Sequence, residues 1–287
     1  MERERWLALY ALILKVAKPF ESGWKYPTSL IAAVWFWAAL HDRPVSWACR
    51  RGNWPPDLAP TRLPTQDRMS KRLKTQSVRG LLNAVEAAEQ TVKDEPIKAV
   101  DSKPLTVGVS SKDADAKWGC ATGGCYLRGY KFHAIWGSGT LPITWRVTSM
   151  NVQDGRGAAP LFDQLTGYGC VLGDGQYDQN VRYEQAAAHG HQLIAYPRCP
   201  NAGKGHRRQS PHRLRGLKLV KRWRRWVDRW RGRIEQSFGG LTCSSGCLGT
   251  LPAWIRGITR VTLWVQAKLI INAQRLKELR TPSLATA

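Results

Sequence analysis

The chain has 287 residues, with 44 Lys+Arg against 21 Asp+Glu, a formal net charge of +23 and a pI near 10.2. That length and apolar content allow one large domain or two modest ones with a real core, and the positive excess is greater than solubility requires, so a polyanion such as DNA or RNA is the expected partner. Seven scattered cysteines, an odd number, argue against a disulfide framework and for a reducing compartment.

From the N-terminus, Met1 to Arg5 and the apolar stretch Trp6 to Leu14 have the outline of a signal peptide. Mixed charges before the stretch, Lys15 and Lys18 after it, and no small-residue cleavage site speak against secretion. Residues 1–93 read as a helical region. Ser29 to Leu40 is an apolar run interrupted by Arg43-Pro44, and Pro44 suits the first turn of a short helix through Cys49. Arg50 to Pro56 is a breaker. Thr65 is a plausible N-cap for a helix carrying Arg68, Lys71 and Arg72, which suits either a helix in or near a DNA groove or a solvated basic face. Gln76 to Gln90 reads as a further helix.

Beyond residue 97 the texture changes to short β-type runs. Ile97 to Val100, Tyr130 to Ala134, Ile143 to Thr148, Gly169 to Leu172 and Leu193 to Tyr196 read as strands, punctuated by glycine-rich turns and by Asn151 to Gly157. Arg182 to His189 reads as a helix. A basic loop is expected at about 198–221, then a helix from about Arg222 to Gly239 and another from Trp254 to Leu276. The last contains Arg256, Arg260, Gln266 and Lys268 and is no clean membrane span. The class is α/β with a mixed sheet flanked by helices. The expected domains are 1–93, a helical DNA-binding region, and 94–280, a catalytic domain carrying the basic insertion.

Three carboxylates stand out. Asp101 follows Ile97-Lys98-Ala99-Val100, Asp174 follows Cys170-Val171-Leu172-Gly173, and Glu235 lies in the helical run Arg229 to Phe238. Two strand-end aspartates and a helical glutamate are a ligand set for two Mg²⁺ or Mn²⁺ ions acting on phosphodiesters, although single strand-end aspartates commonly cap turns. Trp226, Trp230, Ile234, Phe238 and Leu241 form an apolar stripe at helical spacing, read as core packing. Arg224, Asp228, Arg231 and Glu235 share the bordering face, where Arg231 is placed to hold a phosphate or orient Glu235. The arginines from 222 to 233, with Lys204, Arg207, Arg208, Arg213 and Arg215, form the densest positive region.

The ordered series Val100-Asp101-Ser102-Lys103-Pro104-Leu105, Gly129-Tyr130-Lys131-Phe132-His133-Ala134, Gly173-Asp174-Gly175-Gln176-Tyr177-Asp178 and Arg231-x-x-x-Glu235-x-x-Phe238 resembles the DDE transposases of bacterial insertion sequences. Gly139 to Pro142 and Val147 to Asp154 fall between them in the family's order. The resemblance covers roughly residues 95–275. It implies an RNase H-like catalytic domain with a five-stranded mixed sheet, and Asp101, Asp174 and Glu235 as catalytic and metal-binding triad. The substrates implied are double-stranded DNA at the element's terminal inverted repeats and target DNA. A homo-oligomer on DNA, a cytoplasmic and nucleoid-associated location and no membrane association follow from the same reading. Lys131 and His133, on one face of their strand, are then expected to reach DNA phosphate. Asp228 and Thr242 stand where the family often has tyrosine and lysine, which keeps open a lapsed transposase that only binds DNA; the other rival is a nuclease on the same fold that cuts without joining.

Overall fold

The computed structural model describes residues 2–18, 25–90, 95–121, 124–199, 209–242 and 248–280. Two compact units divide the chain: residues 1–90 with 263–287, and residues 91–262. The sequence reading placed the whole C-terminal helix with the catalytic domain, whereas its residues from Leu263 belong to the first unit.

The first unit is built on a buried helix. Helices α1 (Glu2–Val16), α2 (Thr28–Leu40), α3 (Val45–Ala48), α4 (Gln66–Arg72) and α5 (Gln76–Glu89) follow in order. Every residue of α2 from Ile31 to Ala39 is buried, as expected of a helix apolar on all sides. The Trp37 ring stacks on Trp54 at 4.4 Å, and Trp6 meets both edge-on. Thr65 caps α4 by accepting the Arg68 amide at 3.4 Å. Arg72, at the other end of α4, is buried, and its guanidinium donates to Tyr26 O at 3.1 Å and Thr28 Oγ1 at 2.8 Å.

The second unit is a mixed sheet. Strands β1 (Ile97–Thr106), β2 (Lys117–Cys120), β3 (Tyr126–Trp136) and β4 (Thr144–Ser149) precede α6 (Asp154–Phe162). Then come β5 (Gly169–Gly173), α7 (Asn180–Ala188), β6 (His191–Ala195) and α8 (Pro211–Thr242), and α9 (Ile258–Arg280) starts in this unit and passes into the first at Leu263. β3 lies antiparallel between β1 and β4, while β5 and β6 extend the other side of β1 in parallel. Read as β4-β3-β1-β5-β6, with α6 and α8 packed on β3 and β6, this is the RNase H-like arrangement. All five expected strands are present, and a sixth, β2, extends β3 as a short hairpin arm.

Three local expectations change. β1 does not stop at Asp101. It continues through Pro104 to Thr106 on β3 alone, past the point where β5 leaves it, and a proline lacking its N–H is tolerated where one neighbour is absent. Asn151 to Gly157 is not all turn, because Asp154 opens α6. Pro211 to Lys221 is the first part of α8 rather than loop; Gly216 lets this helix approach β6 so closely that a Cβ there would lie 2.7 Å from Leu193 O. Residues 200–208 of the expected basic loop, including Lys204, Arg207 and Arg208, lie outside the described residues. Among the described residues no helix is long and apolar enough to cross a membrane.

α6 is pressed onto the sheet at Gly157. A Cβ built there would sit 2.2 Å from the His133 ring, which is itself fully buried and has nowhere to retreat. Gly157→Ala is therefore expected to destabilise the protein by about 1–3 kcal/mol through overpacking. Urea unfolding checks this, and an unchanged midpoint would show that the ring yields.

Candidate active site

The register of two parallel strands brings the aspartates together. Ile97, Lys98 and Ala99 pair with Cys170, Val171 and Leu172. Continued by two residues, this register sets Asp101 level with Asp174, both on the side-chain face that Ala99 and Leu172 define. Asp174 then caps a short 3-10 turn by accepting the Gln176 amide at 2.9 Å, and Asp101 accepts the Ser102 amide at 2.7 Å.

Both open into a cavity of about 690 Å³ that is also lined by Lys131, Asp154, Arg231 and Glu235. Burial pushes the Asp101 carboxyl up to about 6, and the neighbouring Asp174 and Asp154 charges add to this, against the Ser102 amide and Arg231. Asp174 is raised for the same first reason, burial, with Asp154 adding and the Gln176 amide and Arg231 opposing. The cavity thus concentrates negative charge that water cannot fully screen.

Two cations answer it from the walls. Lys131 Nζ lies 2.9 Å from Asp154 Oδ1 with its side chain nearly buried. Arg231 lies under Glu235, 3.6 Å from Oε1, and its guanidinium stands 5.4 Å from the centre of the Tyr196 ring. Tyr196 follows β6, and its hydroxyl donates to Asp228. Position 228 therefore joins α8 to the sheet about two turns before Glu235. Glu235 itself has a largely exposed side chain.

A family model described as Transposase DDE domain matches residues 93–244, more than half of the chain. The chain belongs to that family. No curated protein sequence matches it. Among solved structures, a cryo-EM structure of the piggyBac transposase synaptic complex with hairpin DNA is similar at a TM-score of 0.44 and 10% identity, covering 98% of this chain and 83% of that one.

In this transposase the cavity gathers five of the residues singled out by sequence: Asp101, Asp174, Glu235, Arg231 and Lys131. Others stand elsewhere. His133 is fully buried, its Nε2 2.8 Å from Thr148 Oγ1, and burial pushes its pKa down to about 4. The strand face it shares with Lys131 is covered by α6, so the imidazole has no route to phosphate. Arg72 is likewise committed to Tyr26 and Thr28, inside the helical unit. Arg68 and Lys71 are exposed on α4, Lys71 paired with Asp67 at 2.9 Å, and Arg224 is exposed on α8. The side chain at Thr242 lies outside what is described.

Asp154 is the acid that sequence reasoning passed over. It lies in the turn-like stretch Asn151 to Gly157; the signal for it is an acid at the start of a helix after Asn151-Val152-Gln153, where the helix dipole favours negative charge.

The donor set suits a hard divalent cation. Asp101 and Asp174 are desolvated carboxylates whose ionised forms repel, which is the condition that a bound Mg²⁺ or Mn²⁺ would relieve. Glu235 shares the cavity without closing on them, and among the described residues no three His, Cys, Asp or Glu side chains converge tightly enough to hold a metal.

Because the folded-state pKa of Asp101 is raised above its ordinary 3.8, the folded protein holds this proton more tightly than the unfolded chain. Ionising Asp101 therefore costs stability; the cost is absent below about pH 4 and grows until about pH 6. At 1.36 kcal/mol per unit the ceiling is on the order of 3 kcal/mol. Asp101→Asn should raise the stability of the metal-free protein at pH 7.5 and lose that advantage near pH 4. Denaturant melts across this range test it, and a gain that did not vary with pH would contradict the electrostatic origin.

Proposed function

We propose that this transposase cuts DNA at the terminal inverted repeats of its own element and joins the freed ends to target DNA. The observation that supports the reading is a single cavity containing Asp101, Asp174 and Glu235, with Lys131 and Arg231 also in its lining, in a chain of the transposase DDE family. In the first reaction the oxygen of water attacks phosphorus at the element boundary and the P–O3′ bond breaks, leaving a 3′-hydroxyl on the element. In the second, that hydroxyl attacks a target phosphodiester and displaces the target's own 3′-oxygen. The number of phosphodiesters is conserved in the second step, so no ATP is needed.

Asp101, Asp174 and Glu235 would hold two Mg²⁺ or Mn²⁺ ions, which when bound activate the attacking oxygen and stabilise the leaving one. The remaining work falls to the chain itself. Arg231 and Lys131 face the cavity with the charge needed to hold a phosphate, and Asp154 keeps the Lys131 ammonium pointing inward. Exposed cations on α8 and α4, Arg224, Arg68 and Lys71 among them, would hold the flanking duplex through its phosphates, as the net charge of +23 favours. A homo-oligomer that bridges two element ends belongs to the same reading.

The test is cleavage and strand transfer on a labelled duplex bearing the element's terminal repeat, with Mg²⁺ or Mn²⁺. Asp101→Ala, Asp174→Ala and Glu235→Ala should each abolish nicking and joining, by at least about a hundredfold as expected for loss of an electrostatic catalytic group, while DNA binding persists. Specific binding with no cutting in the unsubstituted protein would make it a DNA-binding descendant. Cutting with no joined product would make it a nuclease.

A further inference from the structure

α8 breaks its helical geometry at Trp223, where φ is −119° and ψ 29°. Sharp departures of this kind in a long helix have a local cause. Here the break accompanies an indole that is 52% exposed, outside the apolar stripe that α8 uses for packing. The fold gains little from that side chain.

Two concave surfaces meet at this ring. On one side is an apolar slot of about 300 Å³, walled by Trp223, Trp226, Val227, Leu219, Ile194 and Cys170. On the other is an open basin of about 450 Å³ bordered by Arg222, Arg224, Arg225 and Arg229. The Arg222 guanidinium lies 5.6 Å from the Trp223 ring centre. A slot with aromatic walls takes a flat apolar group, and a fringe of arginines takes anions on either side of it. One nucleotide presents both. A base inside a duplex is stacked above and below and has no face to offer, so the matching group is an unpaired base. A purely apolar peptide segment would leave the arginines unanswered.

We propose that Trp223 and Trp226 form a slot for one unpaired base, with its neighbouring phosphates held by Arg222, Arg224, Arg225 and Arg229. The site is separate from the carboxylate cavity. Glu235 lies about 18 Å further along the helix at 1.5 Å per residue. That distance corresponds to about five steps of B-form DNA. The proposal rests on the DNA-acting reading above, yet it concerns binding alone and is measured without cleavage.

The experiment uses the full chain, no divalent cation, and two labelled duplexes of one sequence. One is fully paired, and the other carries a single extra 2-aminopurine with no partner. The unsubstituted protein should bind the second about tenfold more tightly, the increment expected of one base–aromatic stack, and should quench the 2-aminopurine fluorescence. Trp223→Ala should lose both the preference and the quenching while keeping its affinity for the paired duplex and its helical circular dichroism. Trp223→Phe should retain the preference. Equal affinity for both duplexes in the unsubstituted protein, or a preference that survives Trp223→Ala, would overturn the slot. Preference and quenching without Mg²⁺-dependent cutting would uphold the slot and sink the proposed chemistry; cutting without preference would do the reverse.

Discussion

Where β1 and β5 run parallel they share three paired residues and then part, and Asp101 and Asp174 lie two positions past the last pair. Parallel strands need a crossover between them, and here the crossover contains β2 to β4 and α6, so the sheet and the acidic site are completed by the same chain path. The price of the arrangement is visible in the raised carboxyls. Two like charges held side by side away from water weaken the fold that positions them. Arg231 offsets part of that repulsion, while Lys131 pairs with the neighbouring Asp154. Natural sites commonly trade stability for readiness in this way.

Much of this was readable from the sequence because strands and amphipathic helices write their period into it. The five strands of the RNase H-like sheet were each an apolar run bounded by glycine or polar turns, and the α8 residues Val227, Phe238 and Leu241 bury as helical spacing required. What escaped had specific causes. Ser102-Lys103-Pro104 looks like a strand terminator, and only the loss of the β5 neighbour explains why the strand continues. Asp154 was hidden by a glycine-rich helix start, since Gly155 and Gly157 are poor helix formers chosen here for close packing.

Sequence also misplaced two basic residues, and for one reason. Alternation along β3 assigns Lys131 and His133 to a common face but cannot say whether that face is open; α6 closes over it, leaving Lys131 at the cavity wall and His133 beneath the helix. On α4, helical spacing shows which side chains line up but not which side of the helix meets the protein, and the guanidinium of Arg72 turned inward to satisfy carbonyl and hydroxyl oxygens. Long cationic side chains bury their charge when acceptors are waiting, and the positions of those acceptors are set by tertiary structure.

Glu235 stands apart from the other acids in being solvated and tied only loosely to Arg231, on a helix anchored about two turns earlier through Asp228 and Tyr196. The charges that add to the burial of Asp101 and Asp174 come from Asp174 and Asp154, on the sheet and at the start of α6, and not from Glu235. An acid delivered by a separate helix and left in contact with solvent spares the sheet a third buried charge, so the strands carry only the repulsion of their own carboxylates.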